Sequence, residues 1–182
     1  MLAPGVTAVN SAPATRRGAR RGTMRAAQAG TVNRQATEDG GGMATREELV
    51  DALAGFTLFG DLTRPQLTSV VHLMEEVMFA EGERVLRQGL TGSGFFIVLD
   101  GEASVLVDGT ERAKLTRGDF FGEASILLGQ PPIADVVALR PLQCLVLPGP
   151  QLEQFLISNP KVLYRMLQAQ TRRLQSAQRF RS

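Results

Sequence analysis

Glycine cuts the stretch from Glu75 to Leu147 into short apolar or alternating runs, and this punctuation limits what the chain can fold into more than any other feature. The runs are Val77–Phe79, Arg84–Leu86, Phe95–Leu99, Ala103–Val107, Glu111–Leu115, Ala134–Ala138 and Leu142–Leu147, parted by turns at Gly82, Gly89, Gly101, Gly109, Gly118 and Gly129. Segments this short suit strands, whereas a helix of ordinary length needs about ten residues or more. Seven or eight short strands predict a mainly β domain, a sandwich or jelly roll. Asp100-Gly101 and Asp108-Gly109 carry residue types that accept positive φ at both centres of a two-residue turn, so each is expected to join antiparallel neighbours.

Helices flank the strands. Thr45 with Glu48 forms a capping-box pattern, followed by Leu49, Leu53 and Phe56 at helical spacing. Thr63 is the expected N-cap of a second helix, with Pro65 early in it and Leu67, Val70, Val71 and Met74 on one face. Beyond Pro148, Leu152, Phe155 and Leu156 predict a helix ending near Asn159-Pro160, and Val162, Leu163, Met166, Leu167 and Leu174 predict a longer one. Its polar face is assigned Arg165, Arg172, Arg173 and Arg179. Its apolar face has two available fates: packing on the roll, or pairing with a second copy or a regulatory partner through residues 161–182.

The charge is unevenly spread. Residues 1–42 hold six Arg and two acids with few large apolar side chains, so they bury too little surface to offset ordering entropy and are expected to be a disordered basic tail. An organelle transit peptide and a misassigned start at Met43 are both compatible with that composition. The folded domain is expected to span 43–182, where 14 basic and 16 acidic residues leave no basic footprint for nucleic acid. After the roll and its closing helix, no recognition helix with its partner fits in the remaining residues, so direct DNA binding is not expected. No apolar run approaches a membrane span. Cys144 is the lone cysteine, expected as a small buried hydrophobe, and its solitude agrees with a reducing compartment; we expect a cytoplasmic protein.

Against this background the ordered motifs acquire a meaning. Gly89 precedes Phe95-Phe96-Ile97-Val98 and Gly101; Arg117-Gly118-Asp119-Phe120-Phe121-Gly122-Glu123 follows; then come Ala124-Ser125-Ile126-Leu127-Leu128, a Pro-containing loop, and Ala134 with Val136. This arrangement resembles the cyclic-nucleotide-binding domain family, which includes the sensor domains of the catabolite activator protein and of the regulatory subunits of cyclic-AMP-dependent kinase. The resemblance implies a double-stranded β-helix (jelly roll) and a ligand-binding set of Gly122, Glu123, Ala124, Ser125, Ile133 and Ala134. A glycine allows close backbone approach, and a short helix starting there points N–H groups at an anion. Glu123 is implied to accept hydrogen bonds from a sugar hydroxyl. Ser125 could donate to a phosphate oxygen.

One departure matters. The family places an arginine about ten residues after the glycine to grip the cyclic phosphate, but position 132 is proline, and Pro131, Ile133 and Ala134 offer no cation either. Arg140 is the nearest downstream arginine; Arg117 is expected to be a solvated turn residue, and Asp135 to point away from the pocket by strand alternation. Leaving a buried phosphate without its charged partner costs about 2–5 kcal/mol, a weakening of roughly thirty- to several-thousand-fold.

Two readings follow: a regulatory sensor that binds cyclic AMP or cyclic GMP weakly, or a related ligand, and signals through its last helix; or a binding-inactive relative that serves as an interaction or dimerisation module. An enzyme on a metal-binding jelly roll would need several His and carboxylate ligands, whereas His72 is the only histidine and sits on the second expected helix. No nucleophile–base pair, P-loop or zinc spacing is visible, so neither catalytic residues, metal ligands nor a cofactor are expected.

Overall fold

The structure, a computed structural model, describes residues 43–90 and 94–179. The basic tail inferred for 1–42 lies outside the described residues, as does the Arg179 side chain.

Two helices lead, α1 (Arg46–Ala54) and α2 (Arg64–His72), separated by one 3-10 turn at Thr57–Phe59. The capping box of α1 is closed both ways: Thr45 N–H donates to Glu48 Oε2 at 2.7 Å and Glu48 N–H donates to Thr45 Oγ1 at 3.3 Å. In α2, Thr63 N–H donates to Gln66 Oε1 at 2.9 Å, and Pro65 occupies the first turn, where a missing N–H breaks no intrahelical bond. α1 stops at Ala54, so Phe56 reaches the core from beyond the helix rather than along its face.

The roll comprises β1 (Glu75–Phe79), β2 (Arg84–Leu86), β3 (Gly94–Asp100), β4 (Ala103–Val107), β5 (Thr110–Leu115), β6 (Phe120–Phe121), β7 (Asp135–Ala138) and β8 (Leu142–Pro148), with α3 (Glu123–Leu128) between β6 and β7. Two four-stranded antiparallel sheets result, ordered β1-β8-β3-β6 and β2-β7-β4-β5. This is the expected double-sheet roll.

Asp108-Gly109 behaves as its sequence predicts, with φ of 50° and 74° and Val107 paired to Thr110 across a two-residue turn. Asp100-Gly101 does not. β3 and β4 lie in different sheets, so this turn carries the chain across the roll instead of folding a hairpin. Gly101 (φ 93°) packs so closely that a Cβ there would lie 2.3 Å from the carbonyl oxygen of Pro141.

β3 is buried along Gly94–Leu99 because it serves two cores. Phe95, Ile97 and Leu99 face the helices with Leu145 and Leu147 of β8, whereas Phe96 and Val98 join Leu142 and Cys144 between the sheets. Burial on both faces is why the run is continuously apolar rather than alternating. The layers are therefore helices, first sheet, second sheet.

The chain closes with α4 (Gly149–Ser158) and α5 (Pro160–Arg179). Val162 and Met166 of α5 enter the helical core, and Arg165 grips Asp61 through Nε at 2.5 Å and Nη2 at 3.0 Å, fixing α5 to the segment after the 3-10 turn. Leu163, Leu167 and Leu174 are exposed, so the apolar face read from the sequence is split between core and solvent. Among the described residues no helix is long and apolar enough to cross a membrane.

Candidate functional site

A cavity of about 300 Å³ opens in the roll, bounded by α3, the Gln130–Ala134 loop, the inner face of the second sheet and one side chain of α5. Each residue of the implied ligand-binding set, Gly122, Glu123, Ala124, Ser125, Ile133 and Ala134, lines it. Ile133 is 74% exposed and stands at the mouth, whereas Glu123 is only 5% exposed.

Gly122 makes this geometry available. Its φ of 89° turns the chain from β6 into α3, and a Cβ there would lie 2.2 Å from the carbonyl oxygen of Gly94. The close backbone approach expected at this glycine is thus made to β3. Ser125 is also committed inward, since its hydroxyl donates to the Gly122 carbonyl oxygen at 3.0 Å. The bond ties the first turn of α3 to its own N-cap residue.

Glu123 is the polar centre. Burial pushes its carboxyl above the usual value of 4.5, opposed by its own backbone N–H, the nearby Arg173 and a hydrogen bond from Gln170. Gln170 Nε2 donates to Oε1, and Arg173 Nη1 lies 3.7 Å from that same oxygen. Oε2 is buried with no hydrogen-bond partner among the described residues. Such an oxygen is costly unless something donates to it.

Arg173 and Gln170 are the residues that the sequence reading missed. Its charge assigns Arg173 to the polar face of the last helix, yet it lines the cavity, donates through Nη2 to the Phe120 carbonyl oxygen at 2.7 Å and lies 4.5 Å over the Phe120 ring. A signal was present: Val162, Met166, Ala169 and Arg173 follow one another at intervals of four, three and four, so Arg173 continues the buried stripe. Arg172 is exposed as expected.

Pro132 is buried in the cavity wall, and its carbonyl accepts from Gly89 N–H at 2.8 Å. Arg117 lies away from the cavity; it donates to Leu99 O at 2.7 Å and stacks over Phe56. Asp135 also lies outside, accepting from Gln88 N–H at 2.7 Å and facing Arg84 at 3.5 Å. A smaller hollow of about 160 Å³ between α1 and α2 gathers Arg46, Arg64 and His72, all exposed, with Arg64 paired to Asp51 at 2.6 Å.

Residues 76–159 match the family described as the cyclic nucleotide-binding domain. The cGMP-dependent protein kinase egl-4 of Caenorhabditis briggsae is 28% identical over 106 residues, covering 55% of this chain and 14% of the kinase. Cyclic-AMP-bound PfPKA-R (141-441) is 25% identical with a TM-score of 0.63, covering 72% of this chain and 47% of that one. The regulatory subunit of a cAMP-independent protein kinase A from Trypanosoma brucei is 26% identical with a TM-score of 0.59, covering 68% and 47%. The chain thus spans about a seventh of the curated kinase and about half of each of these two structures. The matched segment, residues 76–159, is thus similar to the cyclic nucleotide-binding domain family, folds within the two-sheet roll and contributes the α3 that lines the cavity.

Proposed function

We propose that residues 43–182 form a non-catalytic regulatory sensor whose cavity binds cyclic AMP or cyclic GMP weakly, or a related ligand, and signals through α5. One observation carries this reading: the buried Glu123 carboxylate is shared between the cavity and α5, which reaches it through Gln170 and Arg173. A ligand hydroxyl that engages Glu123 competes with or reinforces those contacts, so occupancy is coupled to the position of the helix. Gly122, Glu123, Ala124, Ser125, Ile133 and Ala134 form the proposed contact set. Weak cyclic-nucleotide affinity follows from Pro132, which supplies no cation where the family places one. The lone thiol and the intracellular messengers in question favour a cytoplasmic setting.

Calorimetric titration with cyclic AMP and cyclic GMP tests this reading. Saturable binding weaker than micromolar, lost in Glu123→Ala and accompanied by altered hydrogen exchange in α5, supports the sensor. No heat at millimolar ligand favours the second reading, an interaction or dimerisation module. The observation behind that alternative is the exposed stripe Leu163, Leu167 and Leu174 on α5, apolar surface of the kind that marks contact sites. Sedimentation of wild type and Leu167→Glu decides it: a concentration-dependent dimer abolished by the substitution is its expected result.

A further inference from the structure

The charge in the cavity wall is balanced before any ligand enters. Among the described residues, its charged side chains are Glu123 and Arg173, and these face each other at 3.7 Å. Arg173 has further commitments, to the Phe120 carbonyl oxygen and the Phe120 ring. The opposite wall, Pro131, Pro132, Ile133 and Ala134, carries no charged side chain. The Ser125 hydroxyl proton goes to Gly122 O. A phosphate entering here would give up water and meet no free cation.

What the site lacks is a donor. Glu123 Oε2 is buried and unpartnered, and the Glu123 side chain is only 7% exposed, so a ligand hydroxyl would satisfy an acceptor that the fold leaves open. Around it, Leu86, Val105, Leu115, Phe121 and Val136 present an apolar wall between the sheets, suited to an uncharged ring system.

We infer that this cavity takes an uncharged, hydroxyl-bearing ring compound of the nucleoside class in preference to the corresponding cyclic nucleotide. The inference rests on the sensor reading above and names its ligand. The sugar hydroxyls donate to Glu123, and the base lies against the apolar wall.

The test is calorimetry on the full chain with adenosine, guanosine, 2′,3′-dideoxyadenosine, cyclic AMP and cyclic GMP, repeated on Pro132→Arg. Each nucleoside is expected to bind at least about tenfold more tightly than the cyclic nucleotide of the same base, and the dideoxy compound about tenfold or more weaker than adenosine. Pro132→Arg, checked for an unchanged melting curve, is expected to strengthen cyclic nucleotides by about tenfold or more while leaving nucleosides within about threefold. Wild-type binding of cyclic nucleotides as tight as that of nucleosides, or undiminished binding of the dideoxy compound, overturns the ligand class but leaves the sensor standing. Cyclic-nucleotide binding to Pro132→Arg with no nucleoside binding to either protein overturns the ligand class too. Silence of all five compounds with both proteins at millimolar concentration overturns the sensor reading itself, and this inference with it.

Discussion

Arg173 Nη1 lies 3.7 Å from Glu123 Oε1 while its Nη2 holds the Phe120 carbonyl oxygen at 2.7 Å, so a single guanidinium joins the last helix to both sides of the turn that starts α3. Even with that partner, burial keeps the Glu123 carboxyl above 4.5. A carboxyl raised on folding contributes stability that is complete below its unfolded value and is lost as pH rises through its folded value. Glu123→Gln removes this titration. The urea midpoint of Glu123→Gln relative to wild type should therefore rise as pH increases above about 4.5. A difference that stays flat or falls contradicts a raised carboxyl.

Gly122 and Gly101 separate folding from ligand recognition. Both have positive φ, and a Cβ at either would meet a carbonyl oxygen, of Gly94 at 2.2 Å or of Pro141 at 2.3 Å. Alanine at either position should cost at least about 1–3 kcal/mol of stability. Under conditions where both variants remain folded, Gly122→Ala should lose ligand and Gly101→Ala should keep it; equal loss would mean that the damage is global.

Leu145 and Leu167 test the two sides of the helical layer. Leu145 is fully buried on β8, and Leu145→Ala should destabilise by about 2–5 kcal/mol in urea unfolding. Leu167 is exposed on α5, and Leu167→Ala should stay within about 0.5 kcal/mol. A larger loss at Leu167 that grows with protein concentration would reveal a partner copy.

Cys144 is buried, and desolvation pushes its thiol up to about 12. Near pH 8 roughly one thiol in ten thousand is then ionised, so native protein should resist thiol reagents until it unfolds. Rapid labelling without loss of structure would show that the strand opens locally.

The sequence exposed local chemistry well and long-range placement poorly. The Thr45–Glu48 box, Pro65 and the Asp108-Gly109 hairpin are legible because every partner lies within a few residues. Asp100-Gly101 carries the same turn signal, but whether the chain returns to its own sheet depends on β7 and β8, far along the sequence. β6 has two residues, too few to show a period. The six cavity residues near α3 were visible as a contiguous motif and its loop. Arg173 was not, because its charge suggested solvent while its position on the helix pointed inward; the buried Phe120 carbonyl and Glu123 give that charge a reason to be there.

The pairing of β8 between β1 and β3, and of β7 between β2 and β4, sets an order of assembly. Each sheet takes a central strand from the last part of the roll, so during synthesis the earlier strands wait with open edges. β4 and β5 can close early through their two-residue turn, but β1 has no sheet partner until β8 has emerged. Such non-local closure slows folding and leaves nascent edges exposed to other chains. A chain ended at Ala134 should therefore be aggregation-prone and lack protected amides in β1, whereas extension through Pro148 should restore that protection; hydrogen exchange on the two lengths distinguishes a roll that zips from its first strand from one that is locked by its last.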